Sequence, residues 1–421
     1  MEFSGGAGYL APVSPSASET PPRHERILRM FRRVTASGGF IAEIDGLRFI
    51  AIFVVVLFHL AVGLSIKAPQ QFARPQANWL GAVAWTGFRG VELFFVISGF
   101  ILALPFAGHF LKGSAKVDLR QYFLRRVTRL EPPYVLAMTL IFALLVLVKH
   151  RSAALLWPHL AAGLVYAHSL VFGTENLINN VAWSLEVEIQ FYLLTPLLAL
   201  LFAIPGKALR RAVIAGVCLA SISLGWLLIL PGDRAYLTIA RFLHFFLIGF
   251  LLADVYLTDW KEKPARTAAW DLVTLLGWPA LFAVLSSADA PPAGQAPGRE
   301  PALLAYSFPF AIFLLYCAVF RGRLTSRALS NPWVTTIGGM CYTIYLLHNP
   351  LLSVVVDLTK GIAPTGSYAV NLLLQLAVAA PLLLLPCAAF FALVEKPCMR
   401  RDWPRRLVEL FQSPRAAEGQ R

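Results

Sequence analysis

Charge is what this chain has least of. Only 14% of its 421 residues are Asp, Glu, Lys or Arg, while 57% are hydrophobic. A soluble globular domain carries about 25% charged residues. This balance argues against a soluble enzyme with buried helices. Acidic residues are the scarcer sign, 23 against 37 Lys and Arg, for a net charge of +14. In a soluble protein that excess would suggest nucleic acid. Here the cations cluster in short segments between apolar runs, so membrane topology accounts for them and no nucleic-acid partner is expected. The five cysteines, Cys218, Cys317, Cys341, Cys387 and Cys398, contain no C-x-x-C. They read as small packing residues, and no metal or redox centre is expected. No apolar core followed by a cleavage site precedes the first long apolar run, so no signal peptide is expected. The internal repeats of many transporters are missing, as is any extended soluble domain.

What is present is a series of apolar runs of about 20 residues, each long enough to cross a bilayer. Ten are expected, at 43–64, 82–106, 132–149, 183–204, 211–230, 236–257, 269–287, 301–320, 334–356 and 368–394. Alternate connections contain KGSAKVDLRQYFLRRVTR, GKALRR, DWKEKPAR, RGRLTSR and KPCMRRDWPRR, and all are basic. The intervening 288–300 and 357–367 are polar, turn-rich and low in net charge. By the positive-inside rule both termini are cytoplasmic. The fold expected is an all-α polytopic membrane protein, a bundle of ten transmembrane helices. Residues 1–40 are expected to be a disordered cytoplasmic tail ending in a short basic interfacial helix, RHERILRMFRR from Arg23 to Arg33. Residues 401–421 are a short cytoplasmic tail. Residues 153–172 are apolar enough to be an eleventh span. If they crossed, every later basic connection would fall outside. We therefore expect 150–182 to be a largely external segment with one interfacial or re-entrant helix.

Ionisable residues within such spans are costly, and each is a candidate functional site. In the first span, EIDGLRFIAIFVVVLFHLAVGL, Arg48 and His59 are eleven residues apart. On one helix that is about 16 Å, with both side chains on nearly the same face. His59 has two readings, a polar packing residue or a general base titrating near neutral pH. Arg48 is a snorkelling arginine paired with Asp45, or part of a site. The second span opens GFRGVELFFVISGF, where Gly90, Ser98 and Gly99 suit close helix approach. Its Arg89 and Glu92 form a structural pair or serve an acceptor. Arg125, Arg126 and Arg129 precede the third span, as topological charge or as a phosphate clamp, with Arg126 and Arg129 on one helical face. Glu186 and Glu188 enter the fourth span near its outer end. A carboxylate there is able to orient a histidine. His348, in the ninth span, lies at a depth close to that of His59. Glu395 and Lys396 read as a boundary pair at the inner end of the last span.

Five pieces together resemble the acyltransferase-3 family of integral membrane acyltransferases. They are Arg48 through His59 (R-x10-H), GVELFFVISGF at 90–100, RRVTRLEP at 125–132, WSLEVEIQFYLLTP at 183–196 and YTIYLLHNP at 342–350. The resemblance covers roughly 41–400. It implies transfer of an acyl group, most often acetyl, from a cytoplasmic acyl-CoA co-substrate to a hydroxyl. The acceptor is a carbohydrate, a glycolipid or a small metabolite. It assigns His59, Arg48 and Glu188 to catalysis and the arginines Arg125, Arg126 and Arg129 to acyl-CoA. Arg89, Glu92, Glu186 and His348 are left for the acceptor side, His348 as site support. The SGNH-type hydrolase domain attached to some members is absent from this sequence. The expected enzyme is thus a multi-pass protein of the bacterial cytoplasmic membrane. Direct transfer and an acyl-histidine intermediate are both compatible with these residues. The rival readings are an exporter using buried Arg, His and Glu as a substrate or proton path, and a non-catalytic membrane scaffold.

Overall fold

The computed structural model describes residues 28, 30–33, 40–73, 78–288, 301–400 and 403. Most of both expected tails and of the 288–300 connection lie outside them. Among the described residues, ten helices are long and apolar enough to cross a membrane. They are α1 (Ala42–Lys67), α2 (Gly90–Lys112), α3 (Leu119–Leu147), α4 (Trp183–Leu198), α5 (Lys207–Leu228), α6 (Ile239–Thr258), α7 (Ala268–Ala288), α8 (Ala302–Arg321), α9 (Cys341–Thr359) and α10 (Tyr368–Phe390). Among the described residues there are no strands, only one isolated bridge between Thr267 and Gly322.

The expected α2 and α6 spans are the most buried and form the centre of the bundle, whereas α7 and α10 face mainly outward. Two glycines set the closeness of that central pair. A Cβ on Gly99 of α2 would strike the backbone of Phe246, and one on Gly249 of α6 would strike the backbone of Val96 and Phe100. Gly90 meets the Ala51 carbonyl of α1 in the same way. The small residues of GVELFFVISGF are therefore packing surfaces, because membrane helices associate through close van der Waals contact.

Ion pairs tie the basic connections together at one end of the bundle. Lys112 meets Glu262 at 2.5 Å, Lys207 meets Asp259 at 2.6 Å, and Arg266 meets Glu43 at 2.5 Å. Buried Asp254 holds both Arg210 and Arg211. The opposite end carries Lys67 paired with Asp357 at 3.0 Å, and Gln375 bonded to Thr359. The segregation of charge read from the sequence is thus a real feature of the fold.

Two boundaries differ from expectation. The third helix starts at Leu119 instead of near 132, so the arginine motif is helical and not a loop. Asp118 starts it, accepting from the N–H groups of Arg120 and Gln121. Pro132 and Pro133 do not end it; α9 braces the helix at this point, with Tyr342 Oη donating to Leu130 O at 3.0 Å. The ninth span is divided. A short helix, Pro332–Gly339, ends at Met340 before α9 begins. Gly338 packs on the Asp45 carbonyl there, which draws the break against α1.

Residues 150–182 hold no helix long enough to cross. The helix Ala153–Leu164 has 12 residues. At about 18 Å it is short of the roughly 30 Å hydrocarbon core. It lies along α3, with Tyr134 Oη donating to Gly163 O at 2.9 Å. Glu395 is not a simple boundary residue either. It is buried within a π-helical turn, Phe391–Glu395, and accepts from the N–H and hydroxyl of Thr343.

Replacing Gly99 or Gly249 by Leu should destabilise the bundle by about 1–3 kcal/mol through overpacking. Gly216, with open space around its Cα, should accept Leu without loss. Thermal unfolding in detergent checks both expectations.

Candidate active site

The site grows from the start of α1. Asp45 is fully buried and binds two arginines at once, Arg48 Nη1 at 2.8 Å and Arg33 Nε at 2.7 Å. Arg33 belongs to the segment before α1 and was not expected here. Nothing in its position within a basic run distinguishes it from its neighbours. With Arg126 and Arg129 of α3, these residues place four guanidinium groups on the wall of one cavity. The cavity holds about 140 Å³ and also meets Ser98, Ser184, Glu188, Tyr192, Cys341 and Tyr345.

The charges of this cavity are unbalanced. Burial, then the neighbouring charge of Arg48, lowers the Arg33 guanidinium to about 10 in spite of its bond to Asp45. Arg126 lies over the rings of Tyr122 and Tyr192, 4.8 and 5.1 Å from their centroids. The Nε atoms of Arg126 and Arg129 are buried and find no hydrogen-bond partner among the described residues. Buried donors are rarely left so. An anion such as phosphate would supply both the acceptors and the missing negative charge. Arg125 does not share this role, because it is exposed and bonds Gln121 at 3.0 Å. Adjacent residues point about 100° apart on a helix, whereas Arg126 and Arg129, three apart, share a face.

The two carboxylates of α4 separate for the same reason. Glu188 faces the cavity and accepts from Ser98 Oγ at 2.7 Å and Tyr192 Oη at 2.6 Å. The Tyr192 contact is an i,i+4 pair, a spacing that the sequence contains but that was not singled out there. Glu186 turns the other way, fully buried, and accepts from the N–H groups of His168 and Ser169. It fastens the segment after Ala153–Leu164 and does not line the cavity.

His59 stands beyond the cavity's far end. Phe94 and Tyr345 meet edge to face at 6.0 Å and both line the cavity. Behind Tyr345 is His348, and behind His348 is His59. The hydrogen bonds fix both tautomers. His348 Nδ1 is 2.6 Å from Tyr345 O, and a carbonyl only accepts, so Nδ1 carries the proton. Its Nε2 is then an acceptor, 3.3 Å from His59 Nδ1. His59 Nδ1 is also 3.0 Å from Val55 O, so it too is the donor. The Nε2 of His59 is left with its lone pair. The expected carboxylate orienter of His59 is replaced by a histidine. Glu188 is bonded elsewhere, and the partners of the His59 ring among the described residues are Val55 O and His348.

Arg89 and Glu92 are also apart from Glu188. They form a buried ion pair at 3.3 Å, with Arg89 stacked on Phe88 and Phe308. Glu92 lines a second, separate cavity.

An anion site of this kind is testable without substrate. Pyrophosphate should raise the thermal midpoint of the purified protein. Arg33→Ala, Arg126→Ala and Arg129→Ala should each remove most of that rise, and Arg125→Ala should keep it. The effect should also shrink with added salt.

The sequence profile of the acyltransferase-3 family, described as an acyltransferase domain, matches residues 41–394. Among curated proteins, the O-acetyltransferase OatA of Staphylococcus aureus NCTC 8325 is 26% identical over 358 residues, covering 80% of this chain and 54% of that protein. A second protein of Staphylococcus aureus, from strain COL and provisionally named an O-acetyltransferase, is 25% identical over 343 residues, 75% of this chain and 51% of that one. The chain spans about half the length of the curated relatives it matches. No solved structure matches it significantly. With ten membrane-length helices and a profile match over most of its length, this multi-pass membrane protein belongs to the acyltransferase-3 family.

Proposed function

We propose that the protein is a membrane O-acyltransferase that moves an acyl group, acetyl in the first instance, from acyl-CoA to a hydroxyl of a surface carbohydrate or glycolipid. The observation that carries this reading is an arginine-lined cavity joined, along one helix, to a histidine with a free Nε2 lone pair. The O-acetyltransferase names of the relatives agree with it.

The basic end of the bundle faces the cytoplasm. Acyl-CoA enters there, and its phosphates meet Arg33, Arg48, Arg126 and Arg129. Glu188 holds the Tyr192 hydroxyl, and so the ring against which Arg126 rests. The roughly 16 Å rise between Arg48 and His59 is spanned by the pantetheine arm. The thioester passes Phe94 and Tyr345, whose rings part to admit it. An acceptor hydroxyl arrives from the opposite side. His59 Nε2 takes its proton while the oxygen attacks the thioester carbonyl. The carbon–sulfur bond breaks, and the departing CoA thiolate takes the proton from His59. His348, through its Nε2, keeps the Nδ1–H of His59 oriented during both transfers, the role that a carboxylate plays in a triad.

Membranes carrying the protein are given labelled acetyl-CoA, and the glycan and lipid fractions are read by mass spectrometry for an added acyl increment. His59→Ala should lower the rate by about 10³-fold or more, and His348→Phe by about 10²-fold at an unchanged KM for acetyl-CoA. Retained turnover in folded His59→Ala sinks the reading.

A further inference from the structure

The second cavity is a site of its own. It lies between α2, α5, α6 and α8, and the connection from α5 to α6 forms part of its wall, so it opens at the end of the bundle away from the basic connections. Phe95, which lines the arginine cavity, stacks on Phe246 at 4.8 Å and meets Phe242, a wall of the second cavity, at 5.4 Å. These rings divide the two spaces.

Its polar groups converge on an otherwise apolar wall. Glu92 enters from α2, and Arg241 and His244 from α6. The His244 side chain belongs to a residue only 9% exposed, and its Nδ1 has no hydrogen-bond partner among the described residues. An unpaired buried nitrogen is costly unless a ligand or water satisfies it. The Arg241 guanidinium lies over the Tyr236 ring, 4.0 Å from its centroid. Trp226 and Tyr236 provide aromatic faces beside them.

We propose that this cavity binds a pyranose ring of the acceptor. Acceptor and donor groups side by side, with aromatic walls, match a ring that is hydroxylated at its edge and apolar on its C–H faces. The Glu92 carboxylate accepts from ring hydroxyls, Arg241 donates to them, and His244 Nδ1 completes the set. The cavity also connects to the chemistry. Arg89, paired with Glu92, lies over Phe308 of this wall and over Phe88. Phe88 packs on Phe58, which packs on His59. Naming the ring as part of the acceptor rests on the O-acyl transfer proposed above; the binding site itself does not.

The test uses the purified full chain in detergent without acyl donor. Saturation-transfer NMR is recorded with methyl pyranosides of glucose, galactose, mannose and N-acetylglucosamine. At least one should bind, and His244→Ala and Glu92→Gln should each weaken it by about tenfold or more, with thermal midpoints near that of the parent. Arg126→Ala, in the other cavity, should leave pyranoside binding unchanged. Absence of transfer to every pyranoside overturns the proposal, as does binding unaltered in both His244→Ala and Glu92→Gln. Neither outcome depends on turnover, so loss of this site and loss of the acyl-transfer reading are told apart.

Discussion

Four guanidinium groups share one cavity inside an apolar bundle, and much of the site follows from holding them there. Each cation is expensive to remove from water. Asp45 offsets part of that cost by binding Arg33 and Arg48 together. Tyr122 and Tyr192 offer ring faces to Arg126, and Glu188 fixes Tyr192. The remaining imbalance is a standing attraction for an anion. The phosphate-bearing donor proposed above would bind where the protein alone is under-satisfied.

The far end of the site obeys a different rule. His59 is surrounded by rings and backbone carbonyls, and its orientation comes from neutral hydrogen bonds. A carboxylate beside it would add a second buried charge to the centre of the bundle. A second imidazole orients the ring without that cost. The two halves are joined by a continuous α1, which fixes the spacing between Arg48 and His59, and by α9, which contributes Tyr345 and His348 one turn apart.

The centre of the bundle explains why these halves keep their register. Gly99 and Gly249 bring the backbones of α2 and α6 into direct contact, so neither helix is able to slide without collision. Ser98 and Glu92 are then presented to different cavities from one helix. The break at Met340, with Gly338 against Asp45, starts α9 level with the arginines.

Hydrophobic length and the alternation of basic connections determined the ten helices, because burial in lipid demands long apolar runs whatever the packing. The same logic argued against an eleventh crossing at 153–172. The pairing of Arg126 with Arg129 was legible from their spacing, and so was the shared face of Arg48 and His59. Contacts between distant helices were decided only by the tertiary structure. Arg33 joins the site through its ion pair with Asp45, twelve residues further on. Glu188 joins the arginines and not His59, because α2 presents Ser98 to it. His348 becomes the partner of His59 although 289 residues separate them. Periodicity reports which face of a helix a residue occupies. It does not report which other helix that face will meet, and the chemistry of this site lies in those meetings.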